Sequence, residues 1–212
     1  MLARRYAGEP LQYIRGRTEF FSRMFVVDSR ALIPRPETEI LVEAALERAP
    51  RGARVVDIGT GSGCIAVSLA LERPDLRVLG VDRSLDALSL ASLNSRLLGA
   101  SARFAASDLL DAVRAFDVIV SNPPYIPAAD VETLAPEVRD WEPRMALTPG
   151  ATGTEIIDRI FAAAGGALVL LEIGYGQEAA IRDLAAAHSR RVDAVLSDLA
   201  GIPRVVVSSA AS

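Results

Sequence analysis

Short apolar runs alternate along this chain with longer stretches in which apolar residues recur at helical spacing. Arg54–Ile58 reads as a strand and Gly63–Glu72 as a helix; Arg77–Val81 is a strand and Leu85–Leu98 a helix. Ala102–Ala106 and Phe116–Val120 follow as strands, and a Pro-rich loop spans Asn122 to Pro127. Thr154–Ala164 reads as a helix, Ala167–Ile173 as a strand and Gln177–His188 as a helix. Val192–Leu196 and Arg204–Ser208 close the pattern as strands, and the short Asp198–Pro203 connection suits an antiparallel hairpin at a sheet edge. Strands alternating with helices predict an α/β fold, with a mostly parallel, doubly wound, seven-stranded sheet and an antiparallel edge strand. Ligand sites of such sheets lie at the carboxyl ends of the strands.

Residues 1–35 break that rhythm. Phe20-Phe21 and Met24–Asp28 read as two β segments joined by Ser22-Arg23, a hairpin ahead of the main domain. After Ile33-Pro34-Arg35 a helix should begin: Pro36 suits a first turn, Glu37 and Glu39 complement the helix dipole, and Ile40, Leu41, Ala44, Ala45 and Leu46 form an apolar face. The expected division is therefore 1–35, hairpin and linker, and 36–212, the α/β domain.

Composition narrows the class. Of the 212 residues 50 % are hydrophobic and 24 % charged, enough apolar surface to offset the entropy of ordering the chain. No apolar stretch reaches the ~20 residues needed to span a bilayer, and Met1–Tyr6 lacks the apolar core of a signal peptide. One cysteine excludes an intramolecular disulfide framework and a Cys-rich metal site; no metal is expected, and the features fit a cytoplasmic protein. The net charge of −4 argues against a broad electrostatic grip on nucleic acid. Every basic residue is Arg, which excludes mechanisms needing a Schiff-base or P-loop lysine.

The first stretch with chemical content is Val55-Val56-Asp57-Ile58-Gly59-Thr60-Gly61-Ser62-Gly63-Cys64-Ile65-Ala66: a strand, three alternate glycines, and a helix. Its G-x-G-x-G spacing is not the G-x-G-x-x-G of pyrophosphate binding. Asp57, just before the loop, would repel phosphate and suit a cation or ammonium group. Asp82 ends the second strand, where an acid can accept both hydroxyls of a ribose or simply open a loop. Asp108 and Leu109 follow the third strand, placed to reach an adenine amino group and cover its ring, although Asp108 alone also reads as a helix cap. Together these residues describe a pocket for a nucleoside with a positively charged tail, which S-adenosylmethionine fits better than NAD.

The fourth strand runs into Ser121-Asn122-Pro123-Pro124-Tyr125. Two prolines stiffen the loop and remove two N–H donors, leaving carbonyls and the Asn122 side chain to accept hydrogen bonds. Tyr125 offers a flat surface for stacking. Such a site suits a planar –NH2 group whose nitrogen is aimed at an electrophilic methyl carbon.

At these residues the sequence resembles the class I S-adenosylmethionine-dependent methyltransferases, with their Rossmann-like fold. More narrowly, it resembles the HemK-type release-factor glutamine N5-methyltransferases. The resemblance also includes Gly8–Ile14, Leu32–Glu39, Glu142-Pro143, Ala146-Leu147 and Glu172-Ile173-Gly174. It implies methyl transfer to the glutamine N5 of a Gly-Gly-Gln motif in peptide-chain release factors. Carried over, Gly59, Thr60, Gly61, Ser62, Gly63, Asp82, Asp108, Leu109 and Asn122 would contact S-adenosylmethionine, while Asn122, Pro123, Pro124 and Tyr125 would hold the glutamine amide. Arg35, fixed between two prolines, is a substrate-binding candidate whose alternative is an ion pair with Glu37 or Glu39.

Two departures stand out. The family carries an N-terminal helical domain of which only the end is expected here. Thr152 and Thr154 also stand where the family has the Asp and Leu of an Asp-Gly-Leu sequence. The partner expected is a release factor, the enzyme a monomer with no stable nucleic-acid binding. The alternatives are a DNA or RNA exocyclic-amine methyltransferase and a ribosomal-protein glutamine methyltransferase. His188, Cys64 and Trp141 read as a helix-end residue, a small packing residue and either a loop cover or a stacking surface, respectively.

Overall fold

The computed structural model describes residues 1–211. Two short helices, α1 (Leu2–Tyr6) and α2 (Leu11–Arg15), precede a two-stranded antiparallel hairpin, β1 (Arg17–Phe20) and β2 (Arg23–Val26). Then come α3 (Thr38–Arg48), β3 (Arg54–Ile58), α4 (Cys64–Glu72), β4 (Arg77–Asp82), α5 (Leu85–Leu98), β5 (Arg103–Ala106) and β6 (Val118–Ser121). A segment of short turns, including a 3-10 turn at Val131–Thr133, α6 (Pro136–Arg139) and α7 (Arg144–Leu147), leads to α8 (Glu155–Ala163), β7 (Leu168–Glu172), α9 (Glu178–Ala187), β8 (Arg190–Ser197) and β9 (Pro203–Ala210).

The main sheet has seven strands in the order β5-β4-β3-β6-β7-β9-β8. β5, β4, β3, β6 and β7 pair in parallel, and β9 is antiparallel to both β7 and β8. The expected hairpin is thus present, with its antiparallel strand one place in from the edge and β8 outermost. Alternation along each strand feeds two cores. Val55, Val118, Val120, Leu170 and Val205 pack toward α3 and α4, while Val56, Ile58, Ile119, Leu171 and Val206 pack toward α8 and α9.

The hairpin turns one residue earlier than its sequence suggests. Phe21 and Ser22 both have positive φ (49° and 57°), giving a two-residue turn with Phe20 opposite Arg23. Neither residue favours that conformation. The turn is held because Phe21 N–H donates to Glu39 Oε1 at 2.8 Å. Glu39 therefore serves the hairpin as well as its helix. The helix starts at Thr38, two residues after Pro36, because the bonds from Thr38, Glu39 and Ile40 N–H run back three residues and form a tighter first turn.

The hairpin is built into the sheet's core. Phe20 and Phe25 are 1 % and 0 % exposed in the cluster that contains α3 and α4, each contributing about 1.5–3 kcal/mol. Asn94, on α5, completes the tie: its Oδ1 accepts from Val26 N–H (2.8 Å), and its Nδ2 donates to Val26 O (3.0 Å) and Ser62 O (2.9 Å). One buried amide thus joins the hairpin to the glycine loop. Asn94→Ala should lower stability by about 1–3 kcal/mol, since it leaves the half-buried Val26 N–H and C=O and the buried Ser62 carbonyl without their partner. A denaturant titration with unchanged midpoint would contradict that role.

Candidate active site

The carboxyl ends of β3, β4 and β6 and the residues after β5 open onto one cavity of about 240 Å³. Arg30–Arg35 and Thr38 form a second wall, and Pro143, Met145, Ala146, Thr148 and Pro149 a third. Gly59, Thr60, Gly61, Ser62, Asp82, Asp108, Leu109, Asn122, Pro123, Pro124 and Arg35 all line it. Gly63 and Tyr125 are outside the lining. Gly63 is the N-cap of α4 with φ +81°, and a Cβ there would stand 2.9 Å from Ala91 Cβ, so it sets how closely α4 approaches α5.

Asp57 is fully buried beneath the glycine loop instead of facing an ammonium group. Its Oδ2 accepts from Thr60 Oγ1 at 2.6 Å and from Ala66 N–H at 3.2 Å, so one carboxylate holds both the loop and the first turn of α4. Gly80 on β4 makes room for this, because a Cβ there would lie 2.6 Å from Thr60 Oγ1 and 2.7 Å from the Phe104 ring. Burial outweighs the two hydrogen bonds and raises the Asp57 pKa to about 7.

Asp82 braces the loop from the next strand, accepting from Gly61 N–H through Oδ2 (3.0 Å) and from Ser84 N–H through Oδ1 (2.9 Å). Each oxygen keeps further lone-pair capacity toward the cavity. Asp108 Oδ2 accepts from Arg159 (3.0 Å), whereas its Oδ1 is buried with no donor. A ligand N–H placed there would remove a penalty of about 1–3 kcal/mol. Leu109 has φ +50°, an uncommon conformation for a branched side chain, which turns it into the cavity wall.

On the Pro-rich loop, Asn122 Nδ2 donates to Thr38 Oγ1 at 3.1 Å, and Thr38 Oγ1 donates to Glu172 Oε2 at 2.6 Å. Thr38 and Glu172 are each 2 % exposed. Burial lifts the Glu172 pKa to about 7 against the opposing Thr38 bond and Arg204 charge. The loop is clamped by Ile126 N–H to Leu147 O (3.0 Å), Ala128 N–H to Gly150 O (2.8 Å) and Gln177 Nε2 to Tyr125 O (2.9 Å). Gln177 Oε1 also accepts from Gly174 N–H at 2.8 Å, joining the Pro-rich loop to the end of β7. Tyr125 packs against Gly174 with its hydroxyl toward Glu172, and burial pushes its pKa up to about 12. The ring thus covers the end of β7, away from the cavity stacking position that its sequence neighbourhood suggested.

Arg35 pairs with neither nearby glutamate. Its Nη2 donates to Glu142 Oε1 at 2.6 Å, and the Glu142 side chain is 1 % exposed, so the pair fastens the linker wall to the segment before α7. Trp141 packs with Tyr13, Val27 and Ile33 as a cover for that linker. His188, at the end of α9, bonds Asp158 at 2.7 Å. Cys64 is buried, and burial raises its pKa to about 12. Thr152 and Thr154 join their hydroxyls at 3.0 Å. Thr38, Glu172 and Gln177 carry site functions that sequence reasoning did not assign them. Glu172 shares one legible signal with Asp57 and Asp82, an acid at the carboxyl end of an apolar strand; Gln177 shows none.

Known proteins are similar to this chain in sequence and fold. A family model described as the methyltransferase small domain matches residues 35–137. The chain is 45 % identical to the release factor glutamine methyltransferase of Koribacter versatilis, over 97 % of this chain and 76 % of that protein. It therefore spans about three quarters of that relative's length. Among solved structures, a release factor-specific protein-(glutamine-N5) methyltransferase from Alicyclobacillus acidocaldarius is 34 % identical, with 89 % of this chain and all of that chain covered and a TM-score of 0.51. The 16S rRNA N2 G1207 methyltransferase of T. Thermophilus, in complex with AdoMet and guanosine, shares the fold (19 % identity, TM-score 0.60, 92 % of this chain and 49 % of that one).

Asp57 makes a pH-dependent contribution of definite sign. Its folded pKa lies above the ordinary carboxylate value, so its stabilising share is complete below about pH 4 and is lost as pH rises toward 7. Relative to wild type, Asp57→Asn should gain about 1.4 kcal/mol per pH unit across that interval. Parallel stability curves for the two proteins from pH 4 to 7 would contradict it.

Proposed function

This chain belongs to the release factor glutamine methyltransferases, and from that premise we infer how its site works. The enzyme transfers a methyl group from S-adenosylmethionine to a glutamine side-chain amide nitrogen of peptide-chain release factors. One observation carries the inference. Asn122, with its Nδ2 already committed to Thr38, lines the same cavity as the glycine loop, Asp82 and Asp108.

The residues present suit an S-adenosylmethionine ligand. Asp108 Oδ1 lacks a donor that an adenine amino group provides, Asp82 has acceptor capacity for ribose hydroxyls, and Leu109 can cover the base. Gly59, Thr60, Gly61 and Ser62 form the backbone floor, with Gly63 holding the helix behind it. When bound, S-adenosylmethionine supplies an electrophilic methyl group on a sulfonium that leaves as a neutral thioether.

The chain's own task is to orient a weak nucleophile. An amide nitrogen shares its lone pair with its carbonyl. Asn122 Oδ1 and the Pro123 carbonyl accept the two amide hydrogens, which favours a pyramidal nitrogen with its lone pair directed at the methyl carbon; once the N–C bond has formed and the thioether has left, the cationic nitrogen loses one of these hydrogens as a proton to water. Pro124 stiffens that geometry; Tyr125 supports it from behind through Glu172 and Gln177. Arg35 stands on the cavity wall, where its unused guanidinium nitrogens can hold a substrate backbone. The reading extends to a Gly-Gly-Gln target, a monomeric cytoplasmic enzyme without stable nucleic-acid binding, and a division of labour between residues 1–35 and 36–212. The net charge of −4 supports a protein substrate over a polyanion.

Asn122→Ala should reduce release-factor methylation by about 100-fold or more while leaving S-adenosylmethionine affinity within a few-fold, measured by labelled methyl transfer and calorimetry. Near wild-type turnover would refute the assignment. Label should appear on a release factor, not on its Gly-Gly-Gln→Gly-Gly-Ala variant, and not on oligonucleotides; label on oligonucleotides alone would overturn the substrate class.

A further inference from the structure

We propose that Thr38 and Glu172 are positioning residues that decide which end of the Asn122 side-chain amide faces the substrate, and that the charge on Glu172 switches this orientation. The proposal rests on the reading that Asn122 Oδ1 receives the substrate amide.

The number of available hydrogens fixes the direction of each bond. Thr38 has a single hydroxyl hydrogen, and it is given to Glu172 Oε2 at 2.6 Å. Toward Asn122 the Thr38 oxygen can then only accept, so it takes a hydrogen from Nδ2 at 3.1 Å. The Asn122 amide is planar with one donor end and one acceptor end, so fixing Nδ2 on Thr38 leaves Oδ1 for the cavity. A carboxylate two bonds removed thereby enforces an acceptor where the substrate brings donors. Thr38 and Glu172 are both 2 % exposed, which leaves the chain of bonds little access to solvent that could substitute for a missing partner.

Protonation of Glu172 removes the constraint. A neutral carboxyl can donate to the Thr38 oxygen, and the Thr38 hydrogen is released to donate toward Asn122. The bond is then best made to Oδ1, with the amide turned and Nδ2 facing the cavity. An –NH2 group of the substrate would meet a donor in place of an acceptor. Surrounding groups set the balance: the Tyr125 hydroxyl from the Pro-rich loop and Arg204 from β9 favour the charged form. Glu37 ahead of α3 opposes it, as does burial, and Cys64 at the start of α4 also lies within the field of Glu172. Arg204 is itself shared with Asp198 at 2.8 Å, so its support for Glu172 is divided.

Two independent readouts test the switch. The Asn122 side-chain amide resonances, identified by their loss in Asn122→Asp, should move between about pH 5 and pH 8 in the wild-type protein and stay fixed in Glu172→Gln. In the same range kcat for release-factor methylation should fall about tenfold per pH unit on the acid side in wild type, and Glu172→Gln should lose that limb. Thr38→Val should lower kcat about tenfold or more with S-adenosylmethionine affinity unchanged, and Thr38→Ser should restore most of it. Amide resonances that do not titrate, or an acid limb that persists in Glu172→Gln, would overturn the switch. Resonances that titrate in wild type and not in Glu172→Gln, without any acid limb in kcat, would sustain the switch and refute the role of Asn122 in transfer. Thermal melts establish that each variant is folded, and Thr38→Ser keeps the test decisive if Thr38→Val is not.

Discussion

The site depends on one constraint: carboxyl and hydroxyl groups where the parallel strands end are taken out of water and draw neighbouring segments to them as partners. Asp57 shows how much follows from it. A carboxyl fully shielded from water needs donors: its Oδ2 finds them in Thr60 Oγ1 and Ala66 N–H, on either side of the glycine turn, while its Oδ1 is buried without one. The turn is consequently anchored at both ends from below. Gly80 on the neighbouring strand is required because any side chain there would occupy the place of Thr60 Oγ1. A loop rich in glycine is thus made rigid by an acid beneath it, and its upper surface is left free for a ligand.

The same constraint repeats across the sheet. Asp82 bonds Gly61 N–H, Ser121 Oγ donates to Ile58 O at 2.7 Å, and Glu172 receives Thr38. Each bond crosses from one strand end to a neighbouring segment, so the carboxyl edge behaves as one connected polar layer above two apolar cores. The N-terminal hairpin is part of this arrangement. Through Glu39 and Asn94 it is fastened to α3 and the glycine loop, and α3 in turn delivers Thr38 to Asn122.

This layering explains the division of chemical labour. Asp82 and Asp108 line the cavity and keep unused acceptor capacity, which suits a nucleoside. The Pro-rich loop offers acceptors too, but for a substrate amide, and its stiffness comes from its neighbours as much as from its prolines. Gln177 binds the Tyr125 carbonyl and the Gly174 N–H at once, holding the loop to the end of β7.

By itself the sequence determined the alternation of strands and helices, the glycine turn, the acids at the strand ends and the Asn-Pro-Pro-Tyr loop. Those signals are local: hydrophobic periodicity, glycine and proline stereochemistry, and an acid following an apolar run are all read within a few residues. Tertiary structure decided what lies between segments far apart in the chain. It put Asp57 under the loop and turned Tyr125 toward Glu172. It paired Arg35 with Glu142, 107 residues away, in place of Glu37 or Glu39. It shifted the hairpin turn to Phe21-Ser22, because Glu39 accepts the Phe21 N–H. Above all it joined Thr38 to Glu172 across 134 residues, a partnership invisible to periodicity because a buried hydroxyl and a buried carboxyl find each other only when the fold removes water from both.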